Sequence, residues 1–375
     1  MSCCACKRRN AISAVILDLD GTLVDTENGS KGVLKEFLAK HGRVLNEGNK
    51  RLGKTLKESA ISIVEDYDLP LTPDQFIQEI TPMYREKWLQ AKPLPGSNRL
   101  IKHLHKHGVP FALASNSLRD YIDAKIANQD GWKESFSAII GSDDVESGKP
   151  SPDIFIEAAR RMGVDAAQCL VIEDSLVGVK GAKAANMKVM AVPSHEEADS
   201  SSMADAVINT LLEFQPEIWG LPPFDDWVQN ALPIERIYLS CRNISGFLHE
   251  MKEDGKFGLT NQTSGIFFGW AQVSLPKTFK AVVAIGFHSP NNTRKLQLSL
   301  IDDCRENAHD QHLQLSLVGF IRGLKSKEEL TSKEMVINEE DKSIASESLD
   351  LPIFMHGPCM PFAEEKEADL NDNGL

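Results

Sequence analysis

Residues 14–25 read AVILDLDGTLVD, and this stretch carries the strongest structural signal in the chain. Its four leading apolar residues predict a short buried strand, and Asp18 and Asp20 follow one residue apart, just before a Gly-Thr turn. Two carboxylates this close repel each other unless a positive group lies between them, and a divalent metal ion with a phosphate would meet that need. Taken alone, the stretch also fits a strand followed by an Asp-Gly turn with solvated acids.

The same pattern recurs along the first half of the chain. Apolar runs at 111–114 and 170–172 each lead into polar residues, and a fourth run occupies 188–192. Helical periodicity at 97–107 and 152–162 separates these runs, so the sequence predicts an α/β fold with a Rossmann-like parallel sheet. Such sheets bind ligands at the carboxyl ends of their strands. The polar residues expected at that edge are Asp18, Asp20, Ser115, Asn116, Glu173 and Asp174.

Lys149 is the candidate cation for this edge. It lies in the stretch GKPSP at 148–152, and Pro152 suits the first turn of the helix that follows. In isolation Lys149 fits a solvated loop lysine better than a site residue. A cluster of acids and hydroxyls that binds an anion needs a positive charge, however, and Lys149 would supply it.

Four ordered stretches resemble the motifs of the haloacid dehalogenase superfamily of phosphohydrolases. They are DLDGTLVDT at 18–26, SNS at 115–117, GKPSPDIF at 148–155 and VIEDSLVG at 171–178. Four matches in the right order are far more specific than any one of them. The resemblance predicts a phosphatase domain at 11–195.

The resemblance also assigns roles to the predicted site residues. Asp18 would be the nucleophile that forms an aspartyl-phosphate, and Asp20 the general acid and then the general base. Lys149 would neutralise developing charge. An acid at position 20 resembles the phosphatases of the superfamily rather than its dehalogenases or phosphonatases. The predicted phosphate-binding residues are Thr22, Ser115 and Asn116. The predicted Mg²⁺ ligands are Asp18, the backbone carbonyl of Asp20, and Asp174, supported by Glu173.

The interval from about 28 to 95 predicts a helical cap inserted after the first strand, because it is too long for a simple loop. Such a cap would close over the site and exclude water. Residues 48–55, GNKRLGKT, also match the P-loop pattern of nucleotide-binding proteins. A P-loop follows a buried strand, whereas 41–47 carry no sustained apolar run, so we interpret the match as coincidental.

Composition sets further limits. The chain has 375 residues, a net charge of −13 and a sequence pI near 5.3, which predicts two domains and argues against a nucleic-acid partner. No apolar run reaches membrane length and no secretory signal is visible, so we expect a cytoplasmic protein with reduced thiols. Residues 1–10, with Cys3, Cys4 and Cys6, are predicted to be a disordered tail, although palmitoylation or metal binding by these cysteines is an alternative. The oligomeric state stays open.

The second half of the chain changes character. After a predicted linker at 196–232, β-branched and aromatic runs at 264–271, 279–286 and 313–320 predict antiparallel β structure, as in a small barrel. This β domain is expected to span 233–353, and an acidic disordered tail is expected at 354–375.

The second half resembles the riboflavin kinase barrel of the plant bifunctional riboflavin kinase/FMN hydrolases. The matching stretches are WGLPPFDDW at 219–227, SGIFFGWA at 264–271, AIGFHSPNNT at 284–293, LSLVGFIRG at 315–323 and LDLP at 349–352. The resemblance implies a small phosphorylated metabolite as substrate, with FMN favoured, and a plant source.

Two departures from the family fall on kinase chemistry. The stretch 245–258 lacks the Pro-Thr pair that the family uses to bind nucleotide and Mg²⁺, and 294–299 contain no acid where its catalytic glutamate stands. We therefore predict a phosphatase that converts FMN to riboflavin and carries a degenerate kinase domain. The alternatives are a bifunctional enzyme that retains riboflavin phosphorylation and a phosphatase for a sugar phosphate.

Overall fold

The computed structural model describes residues 11–46, 55–193, 202–244, 247–250, 259–260, 262–274, 277–288, 293–301, 312–324 and 336–355. The predicted tail at 1–10, most of the predicted tail at 354–375 and most of the P-loop-like pattern lie outside these residues.

A parallel sheet of six strands, in the order β3-β2-β1-β4-β5-β6, forms the centre of the first domain. Strand β1 (Ala14–Leu17) lies between β2 (Phe111–Ala114) and β4 (Cys169–Glu173). The other strands are β3 (Ala138–Ile140), β5 (Lys188–Ala191) and β6 (Ala206–Val207). β1, β2 and β4 are buried along their whole length, because helices cover both faces of the sheet. The predicted parallel sheet is confirmed.

Three helices follow β1 and form the cap. They are α1 (Glu27–Lys40), α2 (Leu56–Asp66) and α3 (Pro73–Trp88). Thr55 and Thr72 start α2 and α3 with capping boxes, in which each threonine side chain accepts from the third helical N–H. The cap has its own apolar core, in which the rings of Phe37 and Phe76 meet edge to face at 5.1 Å.

Five more helices pack on the two faces of the sheet. They are α4 (Ser97–Lys106), α5 (Arg119–Ile126), α6 (Trp132–Ser135), α7 (Asp153–Met162) and α8 (Leu176–Ala184). Alternate residues of β1 belong to separate cores on opposite faces: Val15 and Leu17 to one, Ala14 and Ile16 to the other. Within the described residues, no helix is long and apolar enough to cross a bilayer.

Residues 202–232, here called the connecting segment, belong largely to the first domain. They supply β6, and Leu211 packs in the core of the first domain while its neighbour Leu212 packs in the core of the second. Arg99 of α4 forms a two-point ion pair with Asp226, at 2.7 and 2.8 Å. The ring of Phe224 lies beneath the same guanidinium, 3.4 Å away. The sequence prediction treats this region as a linker, yet much of it is packed.

The second domain is a closed antiparallel barrel with the strand order β10-β11-β8-β7-β12-β9. A short helix, α9 (Glu339–Ser348), packs on its outer surface. Phe354, at the start of the predicted acidic tail, is buried beside Phe268 on that surface. The barrel strands are β7 (Leu232–Ile244), β8 (Phe247–Glu250), β9 (Gly265–Ser274), β10 (Lys277–His288), β11 (Thr293–Leu300) and β12 (His312–Arg322). The predicted fold class, a Rossmann-like domain followed by a barrel-like β domain, is confirmed.

Glu213 is a partly buried acid where the two domains meet. Its carboxylate packs against Gly323, where an added Cβ atom would lie 2.6 Å from the carboxyl carbon. Burial raises the pKa of Glu213 to about 7, although hydrogen bonds from Asn209 oppose the shift. Glu213 therefore holds a proton in the folded state at pH values where the unfolded chain has lost it.

Replacing Glu213 with glutamine is expected to stabilise the protein at high pH only. The folded pKa lies above the unfolded value of 4.5, so stability is fully present below pH 4.5 and falls as the pH rises through 7. Glu213→Gln should raise the free energy of unfolding at pH 8 by on the order of 3 kcal/mol, with a small effect at pH 5. Denaturant unfolding at both pH values measures this, with Glu217→Gln as an exposed control. An equal effect at both pH values would contradict it.

Candidate active site

The candidate active site lies at the carboxyl ends of β1 and β4. The backbone N–H of Asp18 donates to the carbonyl of Ile172 at 3.1 Å, which keeps the two strand ends together. Gly21 then turns the chain with a φ of +84°, and a Cβ atom here would collide with the carboxylate of Asp174. Glycine meets both conditions, since it tolerates positive φ and has no Cβ. The turn after Asp20 thus brings acids from two strands close to each other.

Three buried carboxylates form an acidic cluster, defined as Asp18, Glu173 and Asp174, with one oxygen of each within 4.8 Å of the others. The ammonium of Lys149 lies 2.5 Å from Asp18 Oδ1 and 2.8 Å from Glu173 Oε2. The Ser175 hydroxyl donates to the second Glu173 oxygen at 2.5 Å. Asp18 Oδ2 is buried and has no hydrogen-bond partner among the described residues.

The acidic cluster is short of positive charge. Burial and the charge of Glu173 raise the pKa of Asp18 to about 7, although the charge of Lys149 opposes the shift. Burial disfavours the charged form of Lys149, yet the charges of Asp18 and Glu173 raise its pKa above the ordinary value. Three carboxylates facing one ammonium, with a partnerless oxygen on Asp18, fit a hard divalent cation that prefers oxygen ligands, such as Mg²⁺.

A second group of side chains surrounds Asp20. The Lys125 ammonium lies 2.7 Å from Asp20 Oδ1, and Thr26 donates to the same oxygen at 2.7 Å. The hydroxyls of Ser115 and Ser117 donate to Oδ2 at 3.2 and 3.0 Å. Burial raises the pKa of Asp20, but Lys125 and the hydrogen bonds from Thr26 and Ser117 outweigh it and leave the pKa below its usual value. Asp20 is therefore ionised and held in one orientation.

Comparison with known proteins assigns both halves of the chain. Residues 12–186 match the model of haloacid dehalogenase-like hydrolases, and residues 248–346 match that of riboflavin kinases. The bifunctional riboflavin kinase/FMN phosphatase of Arabidopsis thaliana is 43% identical over 358 residues, which cover 91% of this chain and 94% of that protein. The chain belongs to this family. It is a phosphatase, and the predicted enzyme class is confirmed.

Other relatives match between half and three fifths of the chain. (DL)-glycerol-3-phosphatase 2 of Arabidopsis thaliana is 36% identical over 231 residues, which cover 58% of this chain and 95% of that protein. The crystal structure of a HAD hydrolase, family IA, variant 3, from Entamoeba histolytica has a TM-score of 0.50 at 25% identity, covering 56% of this chain and 97% of that one. The barrel therefore separates this family from phosphatases that consist of the first domain.

The predicted phosphate-binding residues contact Asp174, Asp20 and the Lys149 backbone. Thr22 is buried and its hydroxyl donates to Asp174 at 3.4 Å, and Ser115 is 1% exposed. The Asn116 side chain also binds the backbone of Lys149. Its Oδ1 accepts from the backbone N–H of Lys149 at 2.8 Å, and its Nδ2 donates to the Lys149 carbonyl at 3.2 Å. These reciprocal bonds hold the loop that carries Lys149 next to the end of β2.

Lys125 is a site residue that motif reasoning missed. It lies on α5, eight residues after Ser117, outside every stretch that resembles a family motif. It is 5% exposed, and its ammonium lies 4.9 Å from the ring of Trp88, the last residue of cap helix α3. The sequence did contain a signal for the burial of Lys125, since this residue shares a helix face with the apolar Ile122 and Ile126. A buried lysine needs a charged partner, and here it is Asp20.

Replacing Lys125 with methionine should lower kcat by about a hundredfold, because Asp20 loses its strongest partner and its fixed orientation. Methionine keeps most of the length of the side chain and removes the ammonium that contacts Asp20 and the ring of Trp88. Lys133→Met removes an exposed lysine that pairs with Asp123 at 3.2 Å, and serves as the control. Steady-state hydrolysis of an alkyl phosphate ester such as FMN, whose leaving oxygen needs a proton, measures both variants. Equal rates for the two would show that Lys125 does not act on Asp20.

Proposed function

We propose that this protein hydrolyses FMN to riboflavin and inorganic phosphate, with Mg²⁺ and through an aspartyl-phosphate on Asp18. One observation carries the proposal. Asp18 has one oxygen bound to Lys149, while the other is buried and partnerless among the described residues, at the centre of the acidic cluster. A carboxylate held in this way is oriented for attack on phosphorus.

The reaction divides into two steps. An Asp18 oxygen forms a bond to phosphorus while the bond to the ester oxygen breaks, and that oxygen takes a proton from Asp20. Water then attacks phosphorus, Asp20 accepts a proton from it, and Asp18 is released. The pairing with Lys125 favours the ionised form of Asp20, which is the form that accepts a proton in the second step.

Other residues would orient and neutralise the phosphoryl group. Lys149 would stabilise the charge that develops on its oxygens, and Thr22, Ser115 and Asn116 would donate hydrogen bonds. Asp18, Asp174 and the backbone carbonyl of Asp20, with Glu173 in support, would hold Mg²⁺. The ion would screen the repulsion between Asp18 and the phosphate.

FMN as substrate rests on the family. The Arabidopsis protein named for FMN phosphatase activity aligns along nearly the whole chain, whereas the glycerol-3-phosphatases align with the first domain. The second domain is thus the feature that favours FMN over a sugar phosphate or glycerol phosphate.

We also propose that the barrel has lost riboflavin kinase activity. The stretch 245–258 contains no Pro-Thr pair, and 294–299 contain no acid. Arg294, the first residue of the second stretch, donates to the carbonyls of Leu259 and Thr260 at 3.0 and 2.8 Å. A guanidinium held in this way cannot accept a proton from a riboflavin hydroxyl.

A substrate panel tests the phosphatase assignment. Phosphate release should be fastest with FMN and slower with glycerol 3-phosphate and pseudouridine 5′-phosphate, and EDTA should abolish it. Preference for one of the other two esters would overturn the flavin assignment and retain the mechanism. Activity that survives EDTA would overturn the metal requirement.

The kinase assignment needs an assay in which product is not hydrolysed. The full chain carrying Asp18→Asn, incubated with riboflavin, ATP and Mg²⁺, should form no FMN detectable by chromatography. Accumulation of FMN that depends on ATP would establish a bifunctional enzyme instead.

A further inference from the structure

A segment of the barrel domain reaches into the phosphatase active site. This docking segment comprises residues 259–260 and 262–264, just before β9. Gln262 is 2% exposed, and its amide nitrogen donates to two backbone carbonyls of the first domain, those of Gly21 and, at 2.9 Å, Val192. Both neighbours are acceptors, so the NH₂ end of the amide is the end that fits there.

One carbonyl follows β1, the strand that leads into Asp18, and the other follows β5, which pairs with the strand that carries Glu173. Gly21 forms the turn directly after Asp20 and packs against the Asp174 carboxylate. Val192 donates its N–H to the backbone carbonyl of Glu173 at 2.8 Å. One side chain of the barrel domain therefore bridges the segments after β1 and β5, on either side of the candidate metal ligands.

The barrel holds the docking segment in place. Arg294 of β11 donates to the carbonyls of Leu259 and Thr260, and lies 3.4 Å from the carboxylate of Glu250. The N–H of Thr263 donates to the Thr260 carbonyl at 3.1 Å, and the two threonine hydroxyls lie 2.9 Å apart. Arg294 and Thr263 thus meet at the Thr260 carbonyl, and the peptide bond between Thr263 and Gln262 completes the connection from a barrel strand to the turn at Gly21.

We propose that the barrel domain is a positioning element of the phosphatase, acting through Gln262. This inference deepens the proposed function and rests on it. Gln262 fixes the turn at Gly21, and thereby the positions of Asp18 and Asp20 relative to Glu173. Misplacement of reacting groups by about 1 Å costs on the order of a hundredfold in rate, so a small shift in this turn is sufficient.

The first test compares two buried glutamines. Gln262→Leu removes the bridge and keeps a side chain of similar size. Gln272→Leu makes the same change in β9, where Gln272 is 4% exposed inside the barrel domain. With p-nitrophenyl phosphate, Gln262→Leu should lower kcat about ten- to a hundredfold and leave KM within about twofold, while Gln272→Leu should retain wild-type kcat. Equal losses of kcat in both variants would mean that the change only destabilises the barrel, and would overturn the proposal. A wild-type kcat in Gln262→Leu would also overturn it.

A second measurement does not depend on activity. The N–H groups of Gly21, Leu23 and Val24 form hydrogen bonds of 3.0 Å within the turn, so they exchange with solvent slowly when the turn is held. Hydrogen exchange of a peptide spanning 14–25 should be faster in Gln262→Leu than in the wild type and unchanged in Gln272→Leu. Unchanged exchange in both would overturn the proposal. If FMN is not the substrate, the exchange result is unaffected, so the two failures are distinguishable.

A double-mutant cycle tests the path through the barrel. Arg294→Met should lower kcat in the same direction as Gln262→Leu, and the double variant should lose no more than the stronger single variant. Additive losses would mean that the two residues act separately, and would overturn the path from Arg294 through the docking segment.

Discussion

Asp18→Asn is expected to reduce kcat for FMN by roughly 10⁴-fold or more, because a neutral amide cannot form the phospho-enzyme. The change keeps the shape of the side chain and leaves Lys149 paired with Glu173 at 2.8 Å. It also removes one of three neighbouring buried carboxylates. Burial and the charge of Glu173 raise the pKa of the Asp18 carboxyl to about 7. The variant should therefore be at least as stable as the wild type when no metal is bound.

Measurements of kcat and of the melting temperature in EDTA, made on the same sample, check the expected loss of activity and the expected stability. Asp130→Asn, a change at an exposed aspartate, is the matched control and should leave both quantities unaltered. Residual activity above a hundredth of the wild type would mean that another group attacks phosphorus. A melting temperature in EDTA several degrees below the wild type would show that the acidic cluster is not a source of strain.

Asp20→Asn should lower activity by an amount that depends on the leaving group. With FMN, riboflavin leaves as an alkoxide unless its oxygen receives a proton, so the loss should be roughly 10³-fold. p-Nitrophenol leaves readily as an anion, so hydrolysis of its phosphate ester should lose only about tenfold. Asparagine retains one oxygen, which can still accept from Thr26, while Ser115 and Ser117 lose the second carboxylate oxygen to which they donate.

The ratio of the two losses is the informative quantity, because it cancels any general damage to the site. Thr26→Val is a useful companion variant, since it removes one hydrogen bond to Asp20 and leaves the acid in place. It should lower both activities by a similar small factor. Equal large losses for both substrates in Asp20→Asn would assign Asp20 a structural role and exclude it as the proton donor.

The fold of the first domain was predictable because its strands are continuous apolar runs. The run at 111–114 and strand β2 coincide, and β4 extends the run at 170–172 by one residue at each end. The convergence of Asp18 and Glu173 was also predictable, since parallel strands meet at one edge of the sheet. The assignment of roles to these residues came from the motif resemblance and stays a prediction.

The long-range contacts of the site could not be predicted from the sequence. Lys125 meets Asp20 across 105 positions, and Gln262 meets Gly21 across 241. Neither residue lies in a local pattern that predicts its partner, because these contacts depend on how a helix and a whole domain are placed. The packed connecting segment was missed for a related reason. Its polar and proline-rich composition is typical of linkers, while its scattered apolar residues are buried by tertiary contacts.

The connecting segment also determines how strongly the barrel must bind to stay in place. His103 of α4 donates to the Pro222 carbonyl at 2.8 Å, and Arg99 and Lys106 form ion pairs with Asp226 and Asp225. The chain thus enters the barrel from a fixed point on the phosphatase domain.

A tether of this kind makes the association of the two domains intramolecular, at an effective concentration on the order of millimolar. Two domains whose interface is too weak to form between separate molecules at micromolar concentration are then associated almost all of the time. The contact between Gln262 and the turn at Gly21 therefore needs little affinity of its own. Most of the translational entropy of association is already lost when the connecting segment folds along α4.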